Sequence, residues 1–298
     1  MTWAQVAMIA LIFCGLGAGW YRYSRETTMV RRLAELYLWL GPALPFLPSP
    51  ILEAMNLRIG VPIVAPVAAV HLVLLAAAWY AVRTPNGAAT TDARIAGGLL
   101  IFGSMIVWFG ATTWPGMQLE KVAAHRAEHL FTTGAFLIGA LLTLGGFTVL
   151  RTLLRQAGDP LLSELGLVGF LFGTVAWAMH LAFRATVMVS LAQETSASAA
   201  APAWYGPLRL WAGAMYALYM PLAYLAIAAF GAAMLKTGWA GKGWGRTFVF
   251  FGLAAALGLV ARGGFDLPLL VQFMPYAMGM ILMRRAVAKH APALAAKA

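Results

Sequence analysis

The chain has 298 residues, of which 62% are hydrophobic and only 10% charged, with a mean hydropathy of +0.79. A soluble globular domain carries about 25% charged residues, so the composition excludes one and predicts a single membrane-embedded domain over 1–298. The net charge of +11 sits at the ends of apolar runs, where membrane topology places lysine and arginine, and is read as topology rather than affinity for nucleic acid.

In chain order, the first predicted span is 2–20, followed by Arg22, Arg25, Arg31 and Arg32. The segment before it carries no Lys or Arg, which argues against a cleavable signal. Cys14 is the only cysteine and lies inside this apolar run, so no disulfide framework is expected. Residues 33–50 contain Pro42, Pro45, Pro48 and Pro50, which remove backbone donors and make this the least regular of the expected spans. A polar patch with Glu53, Asn56 and Arg58 precedes a span over 61–82 that carries His71.

Arg83, Pro85-Asn86-Gly87 and Arg94 mark a turn, and 95–114 forms the next span, stopped by Pro115-Gly116. The densest ionisable cluster follows, Gln118 to His129, on a helix expected to continue to Leu150. Arg151 and Arg155 close it. A span from Glu164 reaches His180 and Arg184 and runs out into the Ser/Ala-rich stretch ending at Pro202. Residues 207–235 form the next span, with Pro221 and a row of tyrosines, Tyr216, Tyr219 and Tyr224. The last two spans, 247–261 and 267–283, are joined by a turn with Arg262 and Asp266, and the tail carries Arg284, Arg285, Lys289, His290 and Lys297.

This gives an all-α polytopic transmembrane bundle of about nine spans, N-terminus outside and C-terminus cytoplasmic, in a bacterial-type inner membrane. With that count 15 of the 21 basic residues fall on the inner side. If 33–50 does not cross, about eight spans remain and the bias is lost. No internal repeat points to a two-fold transporter architecture. Trp and Tyr near span ends, among them Trp20, Tyr21, Trp79, Tyr80, Trp114, Trp204 and Tyr205, read as an interfacial belt.

The polar groups gather in the outer half. On one continuous helix Lys121, His125 and His129 would share a stripe, because residues four apart lie on one face. His180 falls roughly 24 Å into a span that starts inside, with Arg184 one turn later, and His71 roughly 15 Å below the outer end of its own span. Ionisable groups inside a bilayer are costly and mark functional sites. The plain alternatives are a solvated helix end for the 120–129 cluster, a helix-to-helix hydrogen bond for His71, and an Arg184 that snorkels to the interface.

Three chemistries could use these residues. A b-type haem between His125 or His129 and His180, with His71 a deeper ligand and Arg184, Arg126 or Lys121 on the propionates, would make the protein an electron-transfer subunit of a membrane complex. His125-Arg126-Ala127-Glu128-His129 matches the inverted zinc motif H-x-x-E-H, in which the histidines bind zinc and Glu128 acts as base on bound water; His180 or Glu194 would be the third ligand. The third reading is non-catalytic: a membrane anchor with partner subunits, a sensor or a transporter. Five histidines are too few for the histidine boxes of membrane di-iron enzymes, no lysine lies inside a span for a retinal, and nucleotide-binding glycine motifs are absent.

The segment Trp177-Ala178-Met179-His180-Leu181-Ala182-Phe183-Arg184, followed by Trp204-Tyr205-Gly206-Pro207-Leu208-Arg209-Leu210-Trp211, resembles the C-terminal half of uncharacterised bacterial multi-pass membrane proteins. The resemblance implies a helical bundle and no particular activity.

Overall fold

In the computed structural model the described residues are 33, 34, 36, 37, 66, 67, 69–71, 73, 74, 76, 77, 88–194, 201–262 and 268–288. The expected span 2–20, most of the Pro-rich segment, the Glu53 to Arg58 patch, Asp266, and the tail from Lys289 on, with His290, lie outside them. Among the described residues every regular element is helical, as expected of apolar runs whose backbone groups must find partners within their own segment.

The helices are α1 (Ala88–Thr112), α2 (Leu119–Ala124), α3 (Arg126–Gln156), α4 (Leu162–Phe183), a π-helical turn (Arg184–Met188), α5 (Val189–Glu194), α6 (Tyr205–Lys236), α7 (Lys242–Arg262) and α8 (Pro268–Ala288). Five segments are long and apolar enough to cross a membrane: Thr91–Ala111, Arg126–Gln156, Leu162–Glu194, Tyr205–Lys236 and Lys242–Ala261. The outside of the bundle is apolar. Phe250 is 77% exposed, Leu257 and Val260 70%, and Phe172 and Leu165 more than half. Ridges of that kind would drive aggregation in water and are neutral against lipid.

The long helices run antiparallel to their neighbours, α1 to α3, α3 to α4, α4 to α6, α6 to α7, and α8 back onto α1. Close approach between α1 and α3 is set by glycine. A Cβ on Gly103 would stand 2.7 Å from the Gly139 carbonyl oxygen, and one on Gly139 2.6 Å from that of Gly103. Thr132 Oγ1 donates across the same seam to the Gly110 carbonyl at 2.9 Å, the kind of interhelical bond that adds specificity in an apolar solvent. Gly97 and Gly279 repeat the arrangement between α1 and α8. Deeper in the bundle Phe147 stacks on Phe230 at 4.4 Å and meets Phe170 edge-on at 4.8 Å, joining α3, α4 and α6.

The antiparallel order collects Arg151, Arg155, Lys236, Lys242, Arg246 and Arg285 at one end of the bundle, and Lys121, Arg126, Arg184 and Arg209 at the other. At the first end buried Asp159 organises the α3–α4 turn. Its Oδ2 accepts the Ser163 backbone N–H at 2.9 Å, a cap on the first turn of α4, and Lys236 Nζ donates to Oδ1 at 3.2 Å. Lys236 is 56% exposed, so solvent screens that pair, and the cap is the larger contribution. Asp159→Ala is therefore expected to lower stability by about 1–2 kcal/mol and Asp159→Asn, which retains an oxygen acceptor, by much less. Thermal unfolding of both variants checks this; equal losses would assign the effect to charge.

Candidate functional site

The site is built where α1 ends. The chain leaves the helix at Thr112, Thr113 Oγ1 donates back to the Gly110 carbonyl at 3.0 Å, and Pro115 and Gly116 turn it toward α2. Gly116 has φ +104, a conformation open to glycine at little cost. This connection brings Trp114 over the bundle end.

The ionisable cluster does not ride on one helix. His125 has φ −132 and ψ +47, outside helical values, and joins α2 to α3. The single Lys121, His125, His129 stripe expected from spacing is thus corrected: the helix breaks at His125, with Lys121 on α2 and His129 on α3. The cause is tertiary. Val122 of α2 is fully buried against Phe183, Met188, Val189 and Tyr205, while α3 must follow α1 and α4, and a straight helix cannot serve both surfaces. Past the break Glu128 is half-buried in the first turn of α3 and His129 is fully buried.

Opposite His129, α4 passes into the π-helical turn that begins at Arg184. Such turns expose main-chain groups and recur at functional sites. His129 Nε2 donates to the Arg184 carbonyl oxygen at 3.2 Å, which leaves Nδ1 as an acceptor, buried and without a partner among the described residues. The Arg184 side chain is 1% exposed. Its guanidinium carbon lies 5.5 Å from the centre of the Trp114 ring and 5.6 Å from that of Phe136. Among the described residues neither Nε nor Nη2 has an acceptor, and no carboxylate pairs with this cation.

His180, one turn earlier on α4, donates Nδ1–H to the Ala212 carbonyl of α6 at 2.9 Å. Its ring stacks on Trp177 at 5.2 Å and 6° and lies 5.4 Å from Tyr216. Trp177 in turn faces Tyr219 at 5.0 Å and Phe136 at 5.8 Å, so an aromatic layer runs from α3 through α4 to α6 beneath Arg184.

The structure therefore brings His129, His180 and Arg184 to one end of the bundle. His125 is half-buried at the helix break, and Glu194 is exposed at the end of α5. His71 packs elsewhere, its Nδ1 2.6 Å from Tyr37 Oη and its ring edge-on to Phe109. Among the described residues no three His, Cys, Asp or Glu side chains gather as a metal-holding group. Trp114, Phe136, Trp177 and Tyr216 were not foreseen as site residues. Gln272 and Tyr276, buried on α8, were likewise not singled out; among the described residues Gln272 Oε1 and Tyr276 Oη lack partners, and Gln272 Nε2 reaches Tyr219 Oη at 3.5 Å. A glutamine in the middle of an apolar run was the available signal.

Compared with protein-family models, with curated proteins and with solved structures, the chain matches none. The functional reading rests on the geometry.

Proposed function

We propose that the protein is a multi-pass inner-membrane protein of about nine spans, with the Asp159 end cytoplasmic and the Arg184 end outward, and that it binds an anionic group inside the bundle at Arg184. The segregation of Arg151, Arg155, Lys236, Lys242, Arg246 and Arg285 to one end supports the orientation. One observation carries the binding site: a guanidinium removed from solvent, with two N–H groups unsatisfied and no counter-ion among the described residues. An arginine at the centre of a span costs about 2.5–3.5 kcal/mol on insertion scales; Arg184 lies toward the end of its span, where the cost is lower, but its side chain is turned inward from solvent, and cation–π contacts such as those with Trp114 and Phe136 offset about 0.5–2 kcal/mol. A bound anion offsets the remainder.

The test is recovery of the ligand. Protein purified from membranes is expected to retain an anionic small molecule at near-stoichiometric amount, detected by mass analysis after extraction, and Arg184→Gln to retain none. Retention that is identical in the two proteins would sink the proposal.

A second reading is favoured by how the imidazoles are held. His180 and His129 each give one N–H to a main-chain carbonyl, which fixes the tautomer and leaves the other nitrogen unprotonated, the arrangement that metal-ligating histidines use. In this reading the anion at Arg184 is a propionate of a b-type haem, and the protein serves electron transfer with partner subunits. A Soret band in the purified protein that disappears in His180→Ala is the expected result; a colourless protein with no bound iron rejects it.

A further inference from the structure

Resting on the anion-site reading above, we infer that the ligand of Arg184 is a hydrophobic monocarboxylic acid, gripped by its carboxylate on the Nε/Nη2 edge and bedded by its apolar body among the aromatic rings. Nε and Nη2 belong to one edge of the guanidinium, their N–H bonds run side by side, and both are without acceptors among the described residues. That pair of parallel donors matches the two coplanar oxygens of a carboxylate.

Charge selects among oxyanions. Lys121, Arg126 and Arg209 are exposed, so among the residues described at this end of the bundle the buried positive charge is that of Arg184. One cation neutralises a carboxylate. A phosphate monoester, with about −1.5 to −2 charge at neutral pH, would leave buried negative charge uncompensated.

The walls select the body. Trp114 and Phe136 flank the guanidinium, and Trp177 extends the layer from Phe136. Apolar neighbours of this kind favour an alkyl chain or an aromatic ring over a sugar or a polyol, which would bring hydroxyls without partners. Trp114 is 43% exposed while its ring covers Arg184, so the site is one side chain away from the bundle surface.

The test uses the full-length protein in lipid nanodiscs, titrated with oleate and naphthoate, their methyl esters, oleyl phosphate and orthophosphate, and followed by tryptophan fluorescence and equilibrium dialysis. Saturable binding of at least one of the two acids, absent for its ester and lost in Arg184→Gln, is the expected result. Arg184→Lys keeps the charge and loses the two-pronged edge, and is expected to weaken binding about tenfold or more; it carries the test should the glutamine variant fail to fold. Arg184-dependent binding of the phosphates alone would overturn the carboxylate assignment and leave the anion site standing. Absence of binding by every anion would overturn both, and binding of the acids unchanged in the variants would move the site away from Arg184.

Discussion

Replacing Arg184 with methionine is expected to raise the thermal stability of the ligand-free protein while abolishing anion binding. The two effects have one cause. In the free protein the guanidinium is a buried cation whose Nε and Nη2 have no acceptor among the described residues, and its removal from water is compensated in part by the Trp114 and Phe136 faces. Methionine fills a similar elongated volume, keeps dispersion contacts with both rings and needs no hydrogen-bond partner. Exchanging buried charges for apolar side chains of similar size has stabilised proteins by about 1–4 kcal/mol, and the loss of two cation–π contacts reduces the gain here to about 1–2 kcal/mol. At about 2–4 °C per kcal/mol that is a measurable shift by scanning calorimetry or dye-based unfolding in detergent. Added ligand should then stabilise the wild type and leave the variant unmoved, since only the folded state of the former gains binding energy. A melting temperature that falls in Arg184→Met would show that the cation is already satisfied in the free protein, and the site reading would fail with it.

How legible this site was depended on the kind of signal each residue left. The long helices were readable because uninterrupted apolar runs bounded by Pro115-Gly116, Asp159-Pro160 and the basic clusters have few alternatives in lipid, and the observed segments 162–194 and 205–236 contain those expected from sequence. Their rotational phase was not readable. A soluble helix declares its buried face by alternating polar and apolar residues, whereas α4 and α6 are apolar all round, so nothing indicated that Trp177 and Tyr219 turn inward while Phe172 and Leu218 turn outward. Phe136 was lost for the same reason.

The break at His125 was invisible for a different one. Local spacing favoured a continuous helix, and the competing demand came from Val122 seeking the pocket made by Phe183, Met188 and Tyr205, residues 61 or more positions away. Arg184 was legible as a residue but not as a role. A basic group four residues past His180 near a span end fits snorkelling equally well, and only the π-helical turn and the cover provided by Trp114 turn it inward. His129 and His180 lie at the Arg184 end, each bonded to a main-chain carbonyl, that of Arg184 and that of Ala212, and not to each other.

The site depends on the bundle holding α1 against α3, and that seam yields the other large expected effect. Gly139→Leu should abolish recovery of monodisperse protein, whereas Gly134→Leu, five residues earlier on the same helix, should be tolerated. A Cβ at 139 would stand 2.5 Å from Val107 Cγ2 and 2.6 Å from the Gly103 carbonyl oxygen, so a rigid backbone group as well as a side chain stands in its way. At 134 a Cβ meets nothing within 4 Å among the described residues. Overpacking of a tight core costs about 1–3 kcal/mol for a few added atoms, and a leucine against main chain exceeds what a side-chain rotation absorbs. Lipid adds no hydrophobic force to press the helices together again, so the dispersion contacts and the Thr132 bond to Gly110 along the seam are lost as α1 moves away. Because α1 also carries the connection that places Trp114 over Arg184, a milder Gly139→Ala should weaken ligand binding before it unfolds the protein. Size-exclusion profiles and binding titrations on the three variants separate these effects, and equal behaviour of Gly134→Leu and Gly139→Leu would show that the α1–α3 contact does not hold the site together.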